Sequence, residues 1–207
     1  GPRGGDARVI HPLLGVRLRS PAISGWVFEQ VLSPRSPAYL DHHRFQGKAV
    51  VPGAAYVEMA LAGARFGPGW DRATVADLGF HRPLVLDDDG AVVVQVLVSS
   101  VESGQADVRI VAADMDEEGG PGPWSTVATA RIGDGTDEAK LTAPEDLGAL
   151  SSADGASVDP DALRAALRDR GLEYGDAFQT LRSARARGHA VSGEGVLSST
   201  ELSASAA

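Results

Sequence analysis

The pattern of hydrophobic positions predicts one apolar helix and a strand before it. The run from Gly53 to Arg65 contains strong helix formers, no internal proline and a single acidic residue, Glu58. Because this run is apolar around its whole circumference, we expect the helix to be buried. Residues 23–32 are rich in bulky and β-branched side chains and are closed by the turn sequence 33–37, so they predict a strand.

Short β-rich runs come after the helix and are separated by segments rich in Asp, Gly, Ser and Pro. Two of them flank Ser103-Gly104 and predict a long hairpin. One buried helix with about five strands after it predicts an α+β fold in which an antiparallel sheet wraps around the helix, the hot-dog arrangement. The runs are 75–80, 84–86, 91–101, 106–113 and 124–132.

The chain is predicted to have three parts. Residues 1–132 form the hot-dog unit, and residues 133–158 contain few apolar side chains and read as a linker. Residues 159–207 begin a second unit. Its first element is a helix, because 159–161 (Asp-Pro-Asp) suits a helix start and Gly171 suits its end. The rest of the chain is too short for a second complete hot-dog, so that fold is expected to be partial.

Composition excludes several classes of function. The chain has 207 residues, 43% of them hydrophobic and 23% charged, with a mean hydropathy of −0.08, as in ordinary soluble globular proteins. A net charge of −9 argues against nucleic acid and anionic membrane surfaces as partners. Absence of cysteine excludes disulfides and thiolate chemistry and fits a cytoplasmic location. No apolar run approaches the roughly 20 residues of a membrane helix.

The stretch immediately before the helix carries a candidate catalytic motif. His43, Gly47 and Pro52 fit the pattern H-x-x-x-G-x-x-x-x-P. Together with three further segments in the same order along the chain, this motif resembles the dehydratase domain of modular type I polyketide synthases. Those segments are His-Pro-Leu-Leu-Gly at 11–15, Pro-Gly-Ala-Ala-Tyr-Val-Glu-Met-Ala-Leu at 52–61 and Tyr-Gly-Asp-Ala-Phe-Gln at 174–179.

The resemblance implies that a 3-hydroxyacyl thioester loses water and becomes the 2,3-enoyl thioester. A neutral His43 suits the base that takes the proton from C2. The helix N-terminus at Gly53 offers unpaired N–H groups to the thioester oxygen, on which negative charge develops. Gly47 and Pro52 are expected to shape the loop that aims His43.

The segment that contains Tyr174 and Phe178 departs from the family pattern Tyr-Gly-Pro-x-Phe, because Asp176 stands where proline is usual. Contact of Tyr174 and Phe178 with substrate is one interpretation. A turn leading into the second unit is the other, and both stay open. The base of the family matches His43 by its distance from Gly47, so the resemblance implies a structural role for His42.

The other histidines do not indicate a metal. His81 and His189 have no partner at metal-ligand spacing, H-E-x-x-H does not occur, and the resemblance gives His11 a structural role. Motifs of serine hydrolases, dinucleotide sites and P-loops are also missing. We therefore expect neither a metal nor a cofactor.

The acid that would protonate the leaving hydroxyl is not found. In the family it is an Asp on the helix of a second hot-dog fold, in D-x-x-x-Q or D-x-x-x-H. Asp77 has that spacing to His81 but lies on a β-like run, and Asp176 is one residue too close to Gln179. The chain is therefore interpreted as a fragment of a dehydratase. A natural truncation without full catalysis is the alternative.

Two further alternatives concern function. The chain could be a catalytically silent module kept for architecture or carrier docking. It could also use His43 for double-bond migration, for ring closure to a cyclic ether or for thioester hydrolysis. The partners implied by the resemblance are an acyl carrier protein, neighbouring synthase domains and a second copy in a homodimer. Arg182, Arg185 and Arg187 lie on a probable strand and form either a solvated face or a contact with the acidic carrier.

Overall fold

The computed structural model describes residues 8–116, 118–135, 155–188 and 190–196. Six strands, numbered in chain order, form its main antiparallel sheet: β1 (Val16–Leu18), β2 (Trp26–Leu32), β5 (Ala73–Phe80), β7 (Val92–Val98), β8 (Gln105–Asp114) and β9 (Ser125–Asp134). Their order across the sheet is β1-β2-β7-β8-β9-β5. Helix α1 (Gly53–Phe66) packs on one face of this sheet. The α+β hot-dog fold predicted for the first unit is confirmed.

The core lies between α1 and the inner face of the sheet. Side chains alternate between the two faces of each strand, so a row of inward-facing residues runs across four neighbouring strands. In this row Phe28 pairs with Val96, Val96 with Ile110, and Ile110 with Ala128. Each of the four is at most 1% exposed. Burial of a large apolar side chain contributes about 1.5–3 kcal/mol, so rows of this kind hold the sheet to the helix.

Small residues let α1 approach the sheet closely. A Cβ atom at Gly63 would lie 3.1 Å from Cγ2 of Val98, and Met59 and Ala60 are fully buried on the same side of the helix.

The prediction that α1 is buried around its whole circumference is wrong on one side. Ala54, Glu58 and Arg65 are exposed. Alanine is apolar enough to suggest burial in the sequence, but its small surface is compatible with either environment. The described part of the chain supplies a layer only on the sheet side.

The predicted hairpin at Ser103-Gly104 is confirmed. Both residues have a positive φ, 51° and 75°, and they join β7 to β8. The first predicted strand begins at Trp26 instead of residue 23. At Gly25 φ is 96°, and a Cβ there would lie 2.2 Å from the carbonyl oxygen of Val98. The backbone therefore turns at this glycine before it enters the sheet.

A second, four-stranded sheet carries the catalytic motif. It consists of β3 (His43–Phe45), β4 (Lys48–Val50), β6 (Val85–Leu86) and β11 (Leu172–Tyr174), in the order β11-β3-β4-β6. The sequence did not predict β3 and β4, because three-residue strands are too short for a periodic pattern. This sheet joins the segment after residue 155 to the first unit.

The second unit begins with the predicted helix, here α2 (Pro160–Arg168). The side chain of Asp159 accepts a hydrogen bond from the backbone N–H of Asp161 at 2.9 Å, and Gly171 lies just after the helix with φ 85°. Most of the predicted linker, at 136–154, lies outside the described residues. The two ends of the predicted linker, 133–134 and 156–158, belong to strands. Strand β9 continues to Asp134, and a three-stranded sheet contains β10 (Ala156–Val158), β12 (Leu181–Arg187) and β13 (Ala190–Gly195).

The segment 11–15 contacts α1 and β2. The Nδ1 atom of His11 accepts from the N–H of Leu13 at 3.2 Å, so Nε2 carries the proton and donates to Oε1 of Glu58 at 3.1 Å. Burial lowers the pKa of His11, while Glu58 opposes that effect. A Cβ at Gly15 would lie 2.2 Å from the carbonyl oxygen of Glu29, so only glycine fits. These contacts agree with a structural role for His11.

Within the described ranges, no helix has the length and hydropathy needed to cross a membrane.

Candidate active site

His43 is held in one orientation by a backbone carbonyl. It is the first residue of β3, directly after the 3-10 helix Ala38–His42. Its Nδ1 atom lies 2.8 Å from the carbonyl oxygen of Val50. A carbonyl can only accept, so Nδ1 carries a proton, and in the neutral form of the ring the lone pair lies on Nε2. The hydrogen bond therefore fixes the imidazole with Nε2 directed away from Val50.

Two aromatic rings flank the imidazole of His43. Tyr174 pairs with His43 across β11 and β3, and the ring centroids are 5.4 Å apart. The centroid of Phe178 is also 5.4 Å from that of His43, and the rings of Tyr174 and Phe178 stack at 5.9 Å. All three side chains are partly buried. The structure thus brings together three of the predicted site residues from the two ends of the chain.

His42 forms hydrogen bonds to the segment that contains Tyr174 and Phe178. Its Nδ1 atom accepts from the backbone N–H of Ala177 at 3.1 Å, and its carbonyl oxygen accepts from the N–H of Gly175 at 2.8 Å. A Cβ at Gly175 would lie 2.7 Å from Cγ of His42. The structural role expected for His42 agrees with this geometry. Glycine at 175 is required because the imidazole lies directly against its Cα.

The turn between β3 and β4 is formed by Gln46 and Gly47, with φ 50° and 77°. Two consecutive positive φ values are typical of the two-residue hairpin turn that matches the twist of the strands. The guanidinium of Arg44 donates to the carbonyl oxygen of Gly47 and to the carboxylates of Asp41 and Asp88. Gly47 therefore shapes the hairpin that carries His43, and the hydrogen bonds of Arg44 stabilise this hairpin.

Pro52 and Gly53 place the helix N-terminus next to this hairpin. Pro52 is the N-cap of α1, with φ −68°, and Gly53 is the first helical residue. The first N–H groups of a helix have no acceptor within it. Since the carbonyl of Val50 accepts the hydrogen bond from His43, only the segment 50–53 separates that contact from these donors.

Of the two acidic residues rejected on sequence grounds, one is ion-paired and the other is exposed. Asp77 occupies a bulge of β5 and forms an ion pair with Arg131 at 3.1 Å. Asp176 is exposed at the start of the 3-10 helix Asp176–Phe178. The ring of His81 contacts the hydroxyl of Thr129 at 3.0 Å. In the ranges the structure covers, no three His, Cys, Asp or Glu side chains are close enough to hold a metal ion.

Three contacts of the site could not be found in the sequence. The Val50 carbonyl is a backbone group and leaves no trace in side-chain identity. Arg44 and Gly175 are visible as residue types, but Asp88, which binds Arg44, and His42, which packs on Gly175, lie far from them in the chain. The only available signal was the order of the motifs, because it places both segments in one family pattern.

Comparison with known proteins decides the family. A family profile described as polyketide synthase dehydratase domain matches residues 11–113, and one described as polyketide synthase dehydratase N-terminal domain matches residues 142–204. The chain belongs to the polyketide synthase dehydratase domains. The recognition of this family from the motifs is confirmed.

Segments of large synthases are similar in sequence to this dehydratase chain. Polyketide synthase GfsA of Streptomyces halstedii is 34% identical over 194 residues, which are 92% of this chain and 2% of the synthase. Erythronolide synthase EryA2 of Saccharopolyspora erythraea is 30% identical over 184 residues, 89% of this chain and 5% of the synthase. The chain thus spans a few per cent of relatives that are multidomain proteins.

Solved dehydratase domains share the fold. The dehydratase domain from the terminal module of the rifamycin polyketide synthase is 28% identical, with a TM-score of 0.76 over 92% of this chain and 66% of that one. The dehydratase domain from the CurF module of the curacin synthase is 23% identical, with a TM-score of 0.77 over 95% and 69%. This chain covers about two thirds of each domain.

Proposed function

We propose that the protein removes water from a 3-hydroxyacyl thioester and leaves a 2,3-enoyl thioester. The observation that carries the proposal is the hydrogen bond between Nδ1 of His43 and the carbonyl of Val50, because it leaves Nε2 free to accept a proton. The neighbouring helix start at Gly53 supports the same reaction, since an enolate oxygen needs N–H donors.

In the proposed reaction, Nε2 of His43 takes the proton from C2. The electrons of that C–H bond form the double bond between C2 and C3 as the C3–O bond breaks. Negative charge on the thioester oxygen is stabilised by the first N–H groups of α1. The leaving hydroxyl takes a proton from an acid and departs as water. Only protons are transferred, so we propose that no cofactor takes part.

We propose that the acid is an aspartate of the second hot-dog fold, as the family resemblance implies. Support comes from the CurK dehydratase, which is described as inactive when a histidine is replaced by phenylalanine and when an aspartate is replaced by asparagine. Neither Asp77, paired with Arg131, nor the exposed Asp176 is proposed for this role.

We propose that the substrate reaches His43 on the phosphopantetheine arm of an acyl carrier protein. The size of the relatives supports this proposal, since each is a polyketide synthase of which this chain matches a few per cent. Other domains of the same synthase are the expected neighbours. A homodimer and a cytoplasmic location are part of the same proposal.

The proposal is tested with the full-length protein and a 3-hydroxyacyl pantetheine thioester. Mass spectrometry should show a product that has lost one water and remains a thioester. A protein that leaves the substrate unchanged contradicts the proposed reaction and favours a silent module. A free acid indicates thioester hydrolysis, whereas a migrated double bond or a cyclic ether on the intact thioester indicates a related hot-dog activity.

A further inference from the structure

Phe80 is an exposed aromatic residue on the side of the sheet that faces the helix. It is the last residue of β5 and is 58% exposed, yet it pairs with Ala128, which is fully buried in the inner row. Core side chains fill the inward-facing positions at the centre of the sheet, whereas at the other edge of the sheet the inward position opposite Phe28 is an exposed polar residue, Arg17. An exposed ring at an inward position therefore marks a place where the described chain leaves the inner face open.

A β-bulge gives Phe80 this position. The register of β5 against β9 shifts between Ala76 and Gly79, and Asp77 within the shift has φ 51°. A bulge adds a residue to one strand and changes which face the later side chains point to. Bulges often aim a side chain at a functional site, and the irregularity here turns Phe80 toward α1.

The ring of Phe80 stands over the first turn of α1. Its Cζ atom lies 3.4 Å from the point where a Cβ on Gly53 would be. It also meets the ring of Tyr56 edge-on, at 5.6 Å between centroids and 65° between planes. Tyr56 is 3% exposed and belongs to the core, so the Phe80 ring packs against a buried side chain. The exposed ring is thus fixed beside Gly53.

The two proposed contacts, at Gly53 and at His43, constrain where the thioester end of the substrate lies. If the thioester oxygen is bound at Gly53 and the C2 proton faces His43, then the groups attached to C1 and C2 must lie at the first turn of α1. Phe80 is the bulky apolar side chain that the structure places over that turn. A C2 substituent that lies on this side of the thioester would therefore contact the Phe80 ring.

We propose that Phe80 is a specificity-determining residue whose ring forms the wall beside the thioester and limits the size of the substituent at C2. This inference rests on the proposed function and adds the class of acyl group that the site accepts. The expected preference is for an acyl chain without a C2 branch. One methyl group in an apolar pocket changes selectivity by about 10- to 200-fold, which sets the size of the effect.

The test replaces Phe80 by alanine in the full-length protein. Turnover is measured for two 3-hydroxyacyl pantetheine thioesters that differ only by a methyl group on C2. The Phe80→Ala variant should raise kcat/KM for the branched substrate relative to the unbranched one by about tenfold or more. The Phe80→Leu variant should give an intermediate ratio. Val31→Ala is the matched control, because Val31 is 44% exposed on the outer face of β2, and its ratio should equal that of the unchanged protein.

A change that affects both substrates equally overturns the inference, because it would show that Phe80 supports the fold or is covered by another part of the protein. Urea denaturation of the same variants separates a loss of stability from a change in selectivity. If the unchanged protein turns over neither thioester, the proposed function fails. Calorimetric affinities for the two corresponding unreactive pantetheine amides still test Phe80, and an unchanged affinity ratio in Phe80→Ala contradicts its assignment.

Discussion

Tyr174 lies directly opposite His43 in the strand pair β11 and β3, with their ring centroids 5.4 Å apart. The two residues belong to the two segments that the predicted linker separates. The aromatic environment of His43, the proposed base, is therefore complete only when the later segment pairs with β3. Conditions that weaken this pairing should lower catalysis before they unfold the main sheet.

Replacing His43 by alanine should lower kcat/KM for dehydration roughly 10²- to 10⁴-fold, because a positioned general base contributes about that much. Mass spectrometry of thioester turnover by the full-length protein measures the effect. His81→Ala is the control, since the His81 ring contacts Thr129 and not the proposed site. Equal activity of the two variants would contradict the role of His43.

Replacing Gly175 by alanine should detach the aromatic segment from His42. The new Cβ would lie 2.7 Å from Cγ of the imidazole, and such overpacking typically costs about 1–3 kcal/mol of unfolding free energy. The free energy of unfolding, measured by urea denaturation, and kcat for dehydration should fall together.

A double-mutant cycle with His42→Ala checks the cause of the Gly175→Ala effect. Once the His42 ring is removed, Gly175→Ala should lower the free energy of unfolding clearly less than it does in the presence of His42. If the losses of unfolding free energy in the two single variants simply add in the double variant, the contact between residue 175 and the His42 ring is not the source of the instability.

Gly47→Ala and Gly104→Ala form a matched pair. Each glycine lies in a hairpin turn with a similar positive φ, 77° and 75°, and nothing lies within 4 Å of an added Cβ at either position. Each variant should therefore lose about 1–2 kcal/mol of unfolding free energy from backbone strain alone. Only Gly47→Ala should also lower dehydration, because its turn carries His43. Full activity of both variants would argue against an aiming role for Gly47.

His11 should make the stability depend on pH. Burial lowers its pKa from the ordinary value of 6.5, so the folded state favours the neutral ring. The stabilisation is present above about pH 6.5 and is lost as the pH falls below that value. The loss of stability caused by His11→Gln should therefore be largest above pH 6.5 and smaller in acid. Urea midpoints measured across this range test the prediction, and a constant difference between the two proteins would refute it.

The long elements were predictable because local patterns specify them. The apolar run at 53–65 and the hairpin around Ser103-Gly104 appear in the structure close to their predicted bounds. The short strands β3 and β4 were not predicted, since three residues carry too little periodicity. The exposed side of α1 was also missed, because alanine does not distinguish buried from exposed positions.

The sequence by itself determined the α+β hot-dog fold, the family and the order of the catalytic motifs, because these depend on local periodicity and on residue identity. Only the tertiary structure decided which nitrogen of His43 is free, why position 175 must be glycine, and where the ring of Phe80 points. Each of these depends on a backbone carbonyl, a close approach or a strand register. Such features arise between segments distant in the chain and leave no pattern within either one.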